Sequence, residues 1–382
     1  MAIIKQVTIL VLATVALASC NSQPKKVSEV RVPVVYRAPY DTLTDNIAAF
    51  ISGMPHGKIG CLAAADSGSV WKKFSFSMDS GFADLDTARF LKMRTWADSE
   101  LLHRKTEKTL FYPFGGPDLL NANIFYPNAG SYILIGLEPV GQLPDICRMN
   151  NDQVSKYLNE VWFSLKDIFK RSYFITGNMI GALKKTGING SVPLMALFLK
   201  RQGYHIVSLK YIGVDSTGNW QPADSLKGRK DVTGGVRIEF VGDTGRRIQS
   251  AFYFQTDISD EGLRKNHGFS KYLSRLPESH TYLKAASFLM HGKDFSRIRN
   301  TVFEKSSTIL QDDSGIAYAF FDKKIWDIHL YGKYMKPGKE FSWINETDLA
   351  KAYNDPSIKP VPFTLGYNWR TRAINLLYAV RK

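Results

Sequence analysis

Cysteine is scarce in this 382-residue chain: Cys20, Cys61 and Cys147 are the only three, and no C-x-x-C pair offers a redox or zinc-ribbon site. H-E-x-x-H, G-x-S-x-G and G-x-G-x-x-G are also missing, so zinc-peptidase, hydrolase-elbow and dinucleotide-loop chemistry have no signature. The nearest approach to a phosphate loop, Gly213 to Asn219, lacks the lysine that reaches terminal phosphates. No arginine-rich run occurs. Basic residues cluster only briefly, at Arg229-Lys230, Arg246-Arg247 and Lys323-Lys324, which leaves a nucleic-acid groove unsupported. What is present is ordinary globular composition, 44% hydrophobic and 22% charged, which excludes disordered, collagen-like and polytopic membrane chains. Fifty Lys and Arg against 35 Asp and Glu give +15, and the length suits two domains or one large α/β domain.

The leader is the most specific segment. Lys5 precedes an apolar run from Val7 to Leu17, broken only by Thr8 and Thr14. Eleven helical residues span about 16 Å, too short for a hydrocarbon core of about 30 Å, so a cleavable signal is expected. The run ends Leu17-Ala18-Ser19-Cys20 and resembles the lipobox of bacterial lipoproteins. That resemblance implies cleavage after residue 19, acylation of Cys20, and a membrane anchor without a transmembrane helix. It also implies a cell-envelope location, with Asn21 permitting outer-membrane delivery if the host is diderm. Loss of Lys5 would leave +14. Residues 20–40, interrupted by Pro24, Pro33 and Pro39, read as an extended tether, or as an edge strand through Val30, Val32, Val34 and Val35. An exported compartment permits a Cys61–Cys147 disulfide, with two buried thiols as the alternative.

The body mixes helices and strands, so the expected class is mixed α/β (α+β). Asp41 to Asp45 caps a short helix that stops at Gly53, and Trp71 to Trp96 reads as an interrupted helix. After Asn150-Asn151-Asp152, Val154, Tyr157, Leu158, Val161, Leu165 and Ile168 repeat at helical spacing. Val192 to Leu199 is a further helix with Pro193 near its start. Ser131 to Leu137 is nearly all apolar, as a strand buried on both faces would be. Tyr204–Val214, Gly235–Val241 and Ile248–Gln255 alternate like antiparallel neighbours, Asp243-Thr244-Gly245 turns the last pair, and Trp326 to Tyr331 is another strand. A polar stretch over residues 215–234 reads as a loop or linker between two halves, 41–214 and 235–382. These halves echo one another loosely, Tyr157-Leu158 answering Tyr282-Leu283.

Candidate chemistry rests on carboxylates. In Phe111 to Asp118 a strand ends in a glycine turn, with Asp118 capping a helix at Leu119; Gly115 and Gly116 could present N–H groups to an anion. Asp312 and Asp313 precede Ser314-Gly315 and could act as a base or share a cation, or simply shape a turn. Glu138 ends a buried strand, where parallel sheets place ligands, and Asp257 follows another; Ser259 offers a cap nearby. His267, His280 and His291 lack the i,i+4 spacing of a helical metal face, so no metal or cofactor is expected, and a Ser314 triad has no local support. Trp326, Trp343 and Trp369 could stack on sugars or join the core. These features point to an exported, lipid-anchored envelope protein, a binding or structural module for anionic lipid, an acidic polymer or a glycan. The alternative is an exported hydrolase using paired carboxylates among Asp118, Glu138, Asp257, Asp312 and Asp313.

Overall fold

A ten-stranded sheet, mixed in direction, carries helices on both faces in the computed structural model, so the mixed α/β expectation holds. The structure describes residues 41–382 apart from 58–59, 67, 172–186, 243–246, 286, 313, 338–340, 342 and 367–373. The leader, Cys20, the tether, the 243–245 turn, Asp313 and Trp369 therefore lie outside the described residues.

Helix α1 (Thr42–Ile51) starts where Asp41 Oδ1 accepts the Thr44 N–H at 3.0 Å, and the chain leaves it at Gly53 with φ +66°. A short helix α2 (Gly60–Asp66) leads to α3 (Ser69–Leu85) and α4 (Leu91–Glu100), joined by a π-helical turn at Asp86–Phe90 that is the interruption expected in the sequence. Strand β1 (Thr109–Tyr112), helix α5 (Leu119–Phe125) and strand β2 (Ser131–Gly136) follow. Helix α6 (Asn151–Arg171) buries Val154, Tyr157, Leu158, Val161, Leu165 and Ile168, the stripe that its spacing predicts. Helix α7 (Ser191–Arg201) has Pro193 in its first turn and is buried along nearly its whole length.

Strands β3 (Tyr204–Val214), β4 (Trp220–Pro222), β5 (Thr233–Gly242) and β6 (Ile248–Gln255) form an antiparallel wing. Helices α8 (Asp260–Lys265) and α9 (His267–Ser274) lead to β7 (Ser279–Leu283); α10 (Ser296–Lys305) leads to β8 (Ser306–Gln311); β9 (Trp326–Gly332), α11 (Thr347–Ala352) and β10 (Asn375–Arg381) end the body. The strand order is β4-β3-β5-β6-β2-β1-β7-β8-β10-β9. Within it β6, β2, β1, β7 and β8 run parallel. Strand alternation divides the apolar side chains between two cores: Leu110, Tyr112, Tyr132 and Leu134 face α1 and α3–α7, while Phe111, Ile133, Ile135 and Ile309 face α8–α10.

Two expectations are corrected. Residues 215–234 are no linker: Asp215 is buried and gathers the Thr217 and Asn219 N–H groups at 2.9 and 3.2 Å, turning β3 into β4. The stretch reads as polar because β4 is an edge strand with half-exposed faces. The echo between halves does not extend to structure, since Tyr157-Leu158 lies on α6 and Tyr282-Leu283 on β7, and strands from both sides of the supposed boundary interleave in one sheet. Trp326 is 3% exposed and belongs to the core, whereas Trp343 is open to solvent. Among the described residues no helix is long and apolar enough to cross a membrane. Cys61 and Cys147 are bonded, with Cα atoms 5.1 Å apart, tying α2 to the segment after β2.

Candidate functional site

The parallel strands are not laid down in one direction. From β1 the chain steps outward to β2 and then β6, and returns to place β7 and β8 on the opposite side of β1. The order reverses between β1 and β7. At such a point the connections diverge above and below the sheet and leave a crevice outside the carboxyl ends of the strands. The residues that follow β1, β2, β7 and β8 there are Asp118, Glu138, Lys284 and Asp312.

Asp118 does what its local sequence predicts. Its Oδ1 accepts the Asn121 N–H at 3.2 Å and caps α5, while the Asn121 amide and the Tyr112 hydroxyl also donate to the carboxylate, at 2.8 and 3.1 Å. The remaining partner is Lys284, whose Nζ stands 2.5 Å from Oδ2; the side chains are 2% and 5% exposed. The residue after that lysine, Ala285, has φ +47°, a left-handed backbone that a side chain resists. Its N–H donates to Asp312 Oδ2 at 3.2 Å. Ser314 closes the loop around the same carboxylate, giving its N–H at 2.9 Å and its hydroxyl at 2.6 Å to Oδ1. Asp118 and Asp312 thus meet on consecutive residues after β7. Burial pushes the Asp312 carboxyl up, against the Ser314 and Ala285 bonds and the Lys284 charge, which favour the ionised form. The Tyr282 hydroxyl beside them is buried without a hydrogen-bond partner among the described residues, and burial, then Asp118 and Asp312, drives its pKa well above 10.

Glu138 joins from β2. It is 3% exposed, and the Tyr253 hydroxyl donates to its carbonyl at 2.6 Å. A Cβ at Gly116 would lie 3.2 Å from its Oε2, so the glycine turn after β1 packs against this carboxylate. Of the two readings of that turn, an anion cradle or a tight turn, the structure has the tight turn. Gly115 N–H goes to the Tyr112 carbonyl at 3.1 Å and Gly116 N–H to the Ile135 carbonyl at 3.0 Å.

Asp257 stays apart from this group. It is exposed and accepts from the Ser259 N–H and hydroxyl at 2.8 and 3.0 Å, shaping the turn that Ser259 then caps. Nor do the histidines converge. His267 is exposed; His280 bridges Thr106 and Thr308; His291 contacts the Gly315 carbonyl and Glu346. The Ser314 hydroxyl is spent on Asp312, so a serine triad is not assembled. No group of three or more potential metal ligands occurs among the described residues.

Lys284 is the member of this buried group that the sequence does not single out. One lysine among many has no local mark, and only the strand register delivers it to the reversal point. No protein family, curated protein or solved structure matches the chain.

Proposed function

We propose that this is an exported, lipid-anchored protein of the cell envelope, held by an acylated Cys20, whose body binds a neutral, hydroxyl-rich ligand of glycan type. The observation that carries the ligand class is the strand-order reversal between β1 and β7, floored by carboxylates. Three features set the ligand's charge. Asp118 already occupies the start of α5, the place where this kind of fold would seat a phosphate. The Gly115 and Gly116 N–H groups are committed to backbone. Asp312 and Glu138 add carboxylates beside Asp118, which disfavour an anionic ligand. Of the acidic and glycan partners that the composition allows, the crevice favours the glycan. The +14 left after loss of the leader draws the protein to anionic headgroups. The Cys61–Cys147 bridge is in keeping with an oxidising, exported compartment.

A hydrolase is the second reading, favoured by one observation: Asp118 and Asp312 converge on residues 284 and 285, and burial raises the Asp312 carboxyl in the direction a general acid requires. Both readings meet one experiment. The Cys20→Ser protein, which is expected to leave the membrane fraction and remain soluble, is titrated calorimetrically with neutral and acidic envelope oligosaccharides, and the products are analysed. Binding of the neutral set, weakened about tenfold in Glu138→Gln and without bond cleavage, supports the binding reading. Cleavage that disappears in Asp312→Asn would replace it with the hydrolase. Binding confined to acidic polymers and abolished by salt would remove the crevice from the account.

A further inference from the structure

A cavity of about 670 Å³ opens in the helical layer that packs α3, α4, α5 and the end of α7 together. Its volume is that of a small-molecule site. Phe82, Phe90, Leu120 and Ile124 supply apolar wall, and the π-helical turn Asp86–Phe90 contributes both Asp86 and Phe90 to the lining. Such turns widen a helix locally and recur at functional sites.

Its charges are arranged unequally. Arg104 and Arg201 are deeply set, with side chains 6% and 7% exposed, whereas their acidic partners Asp98 and Asp79 are 64% and 63% exposed. The guanidinium groups are anchored. Arg104 Nη1 donates to the Phe125 carbonyl at 3.0 Å, and Arg201 Nε to the Ser52 carbonyl at 2.7 Å, with Cζ stacked 5.1 Å from the Phe82 centroid. Arg201 Nη1 reaches Asp79 at 2.6 Å, but Nη2 is buried without a partner among the described residues, as is Oε1 of the neighbouring Gln202. A buried guanidinium nitrogen left unsatisfied is costly, and burial lowers the Arg201 pKa against the pull of Asp79. Asp79, by contrast, is itself 63% exposed and can swing into water, provided that another carboxylate takes over the buried charge of Arg201.

We infer that this cavity binds a small monocarboxylate with an apolar body, whose head displaces Asp79 and takes both terminal nitrogens of Arg201. A carboxylate matches that fork bidentately, and the apolar chain fits against Phe82, Phe90, Leu120 and Ile124. Asp79, Asp86 and Asp98 balance Arg94, Arg104 and Arg201 around the cavity, so it has no surplus of positive charge to hold a polyanion. The site is separate from the crevice at the strand ends and does not depend on the glycan reading.

The test is calorimetric titration of the Cys20→Ser protein with decanoate, decanol and decyltrimethylammonium below their micelle concentrations. Decanoate is expected to bind, decanol more weakly, and the cation not at all. Arg201→Gln should weaken decanoate at least about tenfold, while Asp79→Asn, which removes the competitor, should tighten it by about threefold. Equal binding of the three amphiphiles, or an unchanged decanoate affinity in folded Arg201→Gln, overturns the inference. Should Arg201→Gln fail to fold, Asp79→Asn decides alone: an affinity that stays level or falls overturns it. Glu138→Gln serves as the control and should leave decanoate binding unchanged.

Discussion

Lys284 and Asp118 hold opposite charges where water barely reaches. Desolvation of such a pair nearly cancels its attraction, so the pair adds little net stability, but removing one partner strands the other. Lys284→Met should therefore destabilise the protein by about 3–5 kcal/mol in urea unfolding, and Lys284→Met with Asp118→Asn by clearly less than the two single losses combined. Additive losses would show that the two groups do not act as a unit. His280 provides the pH test. Burial, reinforced by Lys108 and His103, holds its imidazole down at about 4 against an ordinary value near 6.5. As pH falls below about 6.5 the unfolded chain takes up a proton that the native site refuses until about 4. Stability is accordingly lost on acidification across that window, by about 3 kcal/mol at its lower end. His280→Gln should flatten this part of the stability curve between pH 7 and 4, whatever its effect on the absolute midpoint.

At the level of elements, what could be read from the sequence follows burial chemistry. Strand β2 was plain because Tyr132, Ile133, Leu134 and Ile135 are buried on both faces and carry no polar atoms inward apart from the tyrosine hydroxyl. Strands β7 and β8 were hidden because their buried positions carry Ser, His and Thr. Thr281 and Ser306 share a hydrogen bond of 2.6 Å, and His280 and Thr308 one of 2.7 Å, so polarity that reads as loop is satisfied inside the sheet. Asp118 could be foreseen as a cap because capping is local, and Lys284 could not because its partner Asp118 lies 166 residues away and is brought near only by the β1–β7 pairing. The disulfide lay between these cases: the pairing was permitted by the residue count, and the packing of α2 beside the segment after β2 settles it. Closing a loop of 86 residues constrains the unfolded chain by about 4 kcal/mol. The Cys61→Ser, Cys147→Ser protein should unfold at correspondingly lower urea, and thiol titration of the denatured wild-type body should find no free sulfhydryl from these two positions. Two free thiols with unchanged stability would contradict the bridge.

On the scale of the whole molecule, a sheet of ten strands brings four chain-distant residues to one edge while its cationic balance is spread over the surface. The antiparallel wing β3–β6 and the antiparallel end β9–β10 extend the sheet without disturbing the parallel centre, so the reversal between β1 and β7 is the place where sheets of this order seat a ligand. Lipid at Cys20 would then restrict that crevice to the neighbourhood of a membrane, where envelope glycans are concentrated. Hydrogen–deuterium exchange of the Cys20→Ser protein, with and without a saturating neutral envelope oligosaccharide, tests this claim most directly. The account predicts slowed exchange in the segments that follow β1, β2, β7 and β8, around residues 113–119, 137–141, 284–287 and 312–316. Protection confined to the β3–β5 wing or to the α3–α4 layer, with those four segments unchanged, would contradict it.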